Sequence, residues 1–199
     1  MSAAGRALVI VDVQPTFCEG GELGVTGGNQ LALEIARYVK AKRDQYALLV
    51  TTQDWHIAPG DHFAADPDYV DTWPVHAVAG THGADLHPAL GRIKPDVMVK
   101  KGEYEAAYSG FEGTDPDGRT LAEALRQAGM TAIDVVGIAE SHCVAATAID
   151  GVKEGFAVRV LTDLTIPVTK EQGQAARQRM TQAGVELTTT LWSTFLTNE

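Results

Sequence analysis

Five short apolar runs that do not alternate with polar residues constrain this chain most: ALVIVDV (7–13), YALLVTTQD (46–54), DVMVKKG (96–102), AIDVVGIA (132–139) and AVRVLTD (157–163). A strand with one wet face alternates, whereas an unbroken run of β-branched residues and leucine reads as a strand buried on both faces. Between the runs lie segments of helical period: NQLALEIARYVKAKRDQ (29–45), TLAEALRQAG (120–129), CVAATAIDGVKEG (143–155) and KEQGQAARQRMTQAG (170–184). Thr120 and Glu123 stand at capping-box spacing, and Gly129 closes that segment. VELTTT (185–190) reads as a last strand. Strands alternating with helices require right-handed crossovers and a parallel sheet covered on both faces. The expected fold is α/β, a three-layer αβα sandwich around a mainly parallel β-sheet, forming a single domain over 1–199.

The longest irregular stretch, around 53–95, holds Pro59, Pro67, Pro74 and Pro88. An insertion of that size in a compact domain is more often functional than idle. It opens with TTQDWHIAPGDHF (51–63), where Asp54, His56, Asp61 and His62 crowd around one proline and one glycine. A solvated loop, a metal site and an acid/base pair all fit that cluster. In an extended segment Asp54 and His56 point to the same side. With His62 and His76 they make one carboxylate and three imidazoles, a set suited to Zn, Fe(II), Mn or Co. His82 and His87, in the turn-rich GTHGADLHP, read as bystanders.

Open parallel sheets bind ligands at the carboxyl ends of their strands. Asp12 follows the first strand, Asp54 and His56 the second, and Lys101 ends the third. The fourth leads through Gly137, Ile138 and Ala139 to Cys143 at the start of an alanine-rich helix. A thiol there feels the helix dipole, which favours thiolate; a lysine would lower its pKa further and a carboxylate could take its proton. Alone, Cys143 could be a small packed hydrophobe, Asp12 a turn cap and Lys101 a surface lysine. Their convergence on one sheet edge speaks for chemistry.

Charge narrows the partners. With 26 acids against 16 bases the net charge is −10, which repels nucleic acid and anionic membranes. Cys18 and Cys143 are too far apart in sequence to suggest a disulfide framework. The N-terminus lacks the basic region and cleavage site of a signal peptide, and no run approaches the roughly 18 apolar residues of a membrane span. A cytoplasmic location is expected.

Five motifs, in order, carry a resemblance: VIVDVQPTFCEGGELGV, DWHIAPGDHF, TWPVHAVAGTHGADLHP, VKKGEYEAAYSGFEGT and VVGIAESHCVAATAIDG. Together, over roughly 7–190, they resemble the nicotinamidases (pyrazinamidases) of the isochorismatase-like cysteine hydrolases. The resemblance implies a hydrolase that converts nicotinamide to nicotinate and ammonia through a Cys143 thioester, in the salvage of NAD. It places Asp12, Lys101 and Cys143 as the catalytic residues and the N–H groups of Ala139 and Cys143 as the oxyanion hole. One divalent ion (Zn, Fe or Mn) on Asp54, His56, His62 and His76 is implied to orient the pyridine ring. Phe17 and Trp73 are implied as an aromatic clamp, with Tyr108, Ile138 and His142 completing the substrate pocket. The Ile138–Ala139 bond is similar to the family's cis peptide.

The small molecule nicotinamide is the implied partner, nucleic acid and membranes are not, and a homo-oligomer is left open. Two departures stand out. Pro15-Thr16 replaces a common Asn-Asp, which removes a carboxylate near the pocket mouth. Ser141 stands where many relatives carry an acid, which makes the field at Cys143 less negative. The alternatives are a related cysteine hydrolase acting on another amide or carbamoyl compound, and a non-catalytic metal-binding protein on the same scaffold.

Overall fold

A computed structural model of the chain describes residues 5–190; both ends of the expected 1–199 domain lie outside the described residues. Six strands form one sheet: β1 (Arg6–Val11), β2 (Leu48–Asp54), β3 (Val97–Lys101), β4 (Ala132–Ile138), β5 (Ala157–Ile166) and β6 (Glu186–Thr188). Their order is β3-β2-β1-β4-β5-β6, and every neighbouring pair is parallel. The α-helices are α1 (Gly28–Lys42), α2 (Leu121–Gln127), α3 (Ala145–Lys153) and α4 (Lys170–Gln182). No helix among the described residues is long and apolar enough to cross a membrane.

The unbroken apolar runs follow from burial on both faces. On β1, Ala7, Val9 and Val11 pack into one core with Leu121, Leu125, Val144, Ala148, Ala176 and Met180 of the α2, α3 and α4 side. The alternate residues Leu8 and Ile10 pack into a second core with Leu31, Ile35, Tyr38 and Val39 of α1. Each such side chain contributes about 1.5–3 kcal/mol by leaving water, so neither layer holds without the other elements. The result is helix–sheet–helix, as the sequence pattern predicts.

Boundaries moved where local chemistry overrode periodicity. The predicted helix 29–45 ends at Lys42, and Arg43–Gln45 tightens into a 3-10 turn before β2. Thr120 and Glu123 form the expected capping box. The segment at 143–155 is α-helical only from Ala145, because Glu140–Val144 form a π-helical turn. β5 runs three residues further than the sequence pattern, to Ile166, and its pairing with β4 is irregular between Val135 and Gly137. β6 is short and starts at Glu186. The long β2–β3 connection holds only 3-10 turns and isolated bridges, among them Phe63–Trp73 and His56–Val78.

The chain lays β1, β2 and β3 outward in one direction, then returns to place β4, β5 and β6 on the other side of β1. The crevice of such a sheet opens between β1 and β4, where the winding reverses. Asp12 lies just beyond β1 and Cys143 just beyond β4. Gly137 permits the close approach there: with φ of 126°, a Cβ at that position would stand 2.0 Å from the carbonyl oxygen of Val11.

Candidate active site

Three side chains from three strand ends meet in this crevice. Lys101 is 1% exposed, an extreme for a lysine, and must be paired to keep its charge. Its Nζ lies 3.0 Å from Asp12 Oδ2 and 3.7 Å from Cys143 Sγ, and it also donates to Asp54 Oδ1. Burial opposes the ammonium charge, but the Asp12 and Asp54 carboxylates outweigh it and hold Lys101 protonated. The Thr52 hydroxyl donates to Asp12 Oδ1 at 2.6 Å. Asp12 Oδ2 has no hydrogen bond of ordinary geometry, and an Asp12 carboxylate oxygen lies within 4.8 Å of Cys143 Sγ. Asp12 itself sits in the left-handed region, with φ of 46°.

The protonation states differ from the simple helix-dipole expectation. Burial pushes the Cys143 thiol well up, Lys101 pulls it back, and Asp12 and Asp54 push it up again. These surroundings favour the thiol at rest, because the dipole effect is small beside desolvation next to two carboxylates. Burial also raises the Asp12 pKa, against Lys101 and with Asp54. A carboxylate made more basic by its surroundings, beside a neutral thiol, is an arrangement for proton transfer on demand.

Asp54 faces two ways. Burial would raise its pKa, but Lys101, His56 and His76 hold it ionised. While Oδ1 serves Lys101, Oδ2 lies 3.7 Å from His56 Nε2 and 3.8 Å from His76 Nε2. Gln14 fixes the Asp54 backbone: its amide donates to Asp54 O at 2.9 Å and to Ala84 O at 2.8 Å, and it accepts from Asp54 N at 2.9 Å.

His56, His62 and His76 are all buried, and one ring nitrogen of each lies within 4.8 Å of those of the other two. The His56 Nδ1–H donates to Gly102 O at 2.6 Å and the His76 Nδ1–H to Pro74 O at 2.8 Å, which turns both Nε2 atoms toward Asp54. His56 Nε2 and His62 Nδ1 are buried without a hydrogen-bond partner. Burial, helped by its neighbours His56 and His76, lowers the His62 pKa to about 4, so it is neutral at pH 7. Buried imidazole nitrogens without a protein partner, beside an ionised carboxylate, suit a divalent cation. Backbone carbonyls fix the His56 and His76 rings, the usual outer support of a metal site. Gly102 lets His56 in: its φ is 73°, and a Cβ there would lie 2.6 Å from His56 Cε1.

Above these groups opens a cavity of about 320 Å³. Phe17, Trp73, Tyr108 and His142 line it together with Asp54, His62, His76, Ala139 and Cys143. Trp73 Nε1 donates to the Tyr108 hydroxyl at 2.8 Å, and the Trp73 ring meets His142 edge-on at 5.6 Å. The Ile138–Ala139 peptide is cis. Ile138 does not line the cavity: it is fully buried in the core shared with α1, because strand alternation sends its side chain into the sheet face. Asp61 is exposed on its turn, and His82 and His87 lie outside the cavity.

Some residues had no visible signal in the sequence. Gln14, just beyond β1, and Thr52, within β2, matter through partners about 40 positions away in the chain. The carboxylate expected to be missing at Thr16 is supplied by Glu22, which lines the cavity and accepts from the Thr16 hydroxyl at 2.7 Å. Glu140 is buried and ion-paired to Arg177, a contact between distant segments.

Comparison with known proteins agrees with this geometry. The model of the isochorismatase domain matches residues 6–191. A nicotinamidase/pyrazinamidase of Mycobacterium tuberculosis is 52% identical over 182 residues, covering 92% of this chain and 97% of that protein. Among solved structures, the pyrazinamidase of Pyrococcus horikoshii in complex with zinc is 32% identical with a TM-score of 0.77, covering 93% of this chain and 99% of that one. PnC1 from L. infantum in complex with nicotinate is also 32% identical, with a TM-score of 0.82 over 96% and 95% of the two chains.

Proposed function

Since the chain belongs to the isochorismatase domain family, we infer that it is an amidohydrolase converting nicotinamide and water to nicotinate and ammonia. The similarity to a nicotinamidase/pyrazinamidase over nearly the whole chain supports that substrate. The observation that carries the chemistry is the meeting of Asp12, Lys101 and Cys143 beneath an aromatic-walled cavity beside the cluster of His56, His62 and His76. Salvage of pyridine nucleotides in the cytoplasm is the setting this activity fits.

The aromatic faces of Phe17 and Trp73 receive the pyridine ring and bring the carboxamide to Cys143. Asp12 accepts the thiol proton, and Lys101 balances the charge that would otherwise collect among two carboxylates and a thiolate. Cys143 Sγ attacks the carboxamide carbon, and the N–H groups of Ala139 and Cys143 receive the oxyanion. Loss of one such donor typically costs ~2.7–4 kcal/mol of transition-state stabilisation. Asp12 then gives its proton to the departing ammonia, leaving a thioester on Cys143. Water, deprotonated by Asp12, hydrolyses the thioester and restores the thiol. Two moderate barriers replace one high one, which suits an unreactive amide.

Asp54, His56, His62 and His76 would hold a divalent ion, which when bound supplies a Lewis-acid contact for the ring nitrogen of the substrate. The ligand set suits Zn, Fe(II) and Mn alike, and the zinc complex of a pyrazinamidase of the same fold favours zinc among them. The test is a substrate panel read by ammonia release and chromatography of the acid product. Equimolar ammonia and nicotinate from nicotinamide, with faster turnover than from benzamide, is the expected result. Benzamide has the same size but lacks the ring nitrogen, so equal rates would remove the role given to the imidazole cluster. Ammonia from a carbamoyl compound and none from nicotinamide would move the assignment to another hydrolase of the family.

A further inference from the structure

Cys143 sits in the π-helical turn Glu140–Val144, and that turn is gripped from behind by side chains with no part in the chemistry. Glu140 is fully buried, a place where a carboxylate persists only when paired. Arg177 on α4 donates to it twice, Nε to Oε1 at 2.8 Å and Nη2 to Oε2 at 3.1 Å. The Thr165 hydroxyl at the end of β5 donates to Oε2 as well. One residue further, Arg179 Nη2 donates to the Ser141 carbonyl at 3.2 Å, and the Ser141 hydroxyl accepts from the Val168 N–H at 3.2 Å. Gly173 lets α4 come close enough: a Cβ there would stand 2.8 Å from the Pro167 ring and 3.4 Å from Glu140 Oε1.

A π turn is a rare backbone form that rarely extends beyond one turn, and here it sets where the thiol points. A forked arginine–carboxylate pair fixes both distance and orientation, which a single point charge does not. The pair ties the first residue of the turn to α4, while the last residue leads directly into α3. We propose that Glu140 and Arg177 are positioning residues: their forked ion pair holds the Glu140–Val144 turn so that Cys143 Sγ stays in register with Lys101 and Asp12. The inference rests on Cys143 being the nucleophile.

The test compares Arg177→Ala, Arg177→Lys and Glu140→Gln with the parent. Turnover is normalised to folded protein, and KM, metal content, thermal midpoint and the rate of Cys143 alkylation by iodoacetamide are measured alongside. Misplacing a reacting atom by about 1 Å can cost on the order of a hundredfold. Arg177→Ala should therefore lower kcat about ten- to a hundredfold, with KM within about threefold and metal content unchanged. Alkylation of Cys143 should slow in parallel. Arg177→Lys should recover part of kcat, because it keeps the charge and loses the fork.

A merely structural pair would lower the thermal midpoint and leave kcat per folded molecule, and the alkylation rate, at parental values. That result overturns the proposal. If Glu140→Gln or Arg177→Ala fails to fold, Arg177→Lys decides, since it keeps a charge beside the buried Glu140 and loses only the fork: kcat and alkylation rate at parental values would overturn the proposal. Activity surviving in Cys143→Ala would instead strike down the nucleophile assignment itself. A dead Cys143→Ala beside a fully active Arg177→Ala would overturn the positioning role alone.

Discussion

Cys143→Ala is expected to lower kcat for nicotinamide by roughly 10⁵-fold or more, the scale on which serine hydrolases suffer when their nucleophile is removed. The substitution takes away a small, nearly buried side chain. The fold, the imidazole cluster and the aromatic walls should therefore stay in place. Metal content and nicotinamide binding, measured by elemental analysis and calorimetry, are expected to match the parent. That separation of binding from turnover is the informative part of the experiment. Substantial residual turnover would mean that water attacks the amide directly and that Cys143 only packs against Lys101.

The second large effect is predicted at the other half of the site. His56→Ala removes a buried imidazole whose Nε2 has no protein hydrogen bond and whose Nδ1 is already committed to Gly102. Outer partners of metal ligands cost roughly 10–100-fold in affinity when removed, and a ligand itself should cost more. The purified variant is expected to lose most of its metal, and its KM for nicotinamide to rise at least about tenfold, equal to about 1.4 kcal/mol of binding. Stoichiometric metal in the variant would show that the imidazole cluster is not the ion's site. Cys143 should remain alkylatable in His56→Ala, because its partners Lys101 and Asp12 are undisturbed.

The layer architecture was legible because burial on both faces leaves a direct trace, an apolar run without alternation, and β1 divides its residues between two cores as that trace requires. Asp12, Lys101 and Cys143 could be picked out from position alone, since the ends of parallel strands in such a fold converge. The metal half was legible as a clustering of Asp54, His56, His62 and His76, but a polar loop fitted the same residues, because no spacing rule connects His76 to His62. Ile138 was misplaced in the pocket for a reason the resemblance does not display: its backbone borders the site while its side chain packs among Ile10 and Leu164. At Cys143 a helix dipole is visible in a sequence, whereas desolvation beside Asp12 and Asp54 is a property of the assembled crevice. Glu140 carried no signal at all, since its partner Arg177 lies 37 residues away on another helix.

The central claim is that ammonia from nicotinamide is released through the Cys143 thiol, and selective alkylation tests it most directly. Cys18 is the only other cysteine. It is shut away in the α1 core, outside the cavity that Cys143 lines. Iodoacetamide should therefore mark Cys143 first, and peptide mass spectrometry can count the labelled fraction. Ammonia release from nicotinamide is predicted to fall in direct proportion to Cys143 labelling and to reach background when labelling is complete. Undiminished ammonia release from fully Cys143-labelled protein would contradict the account.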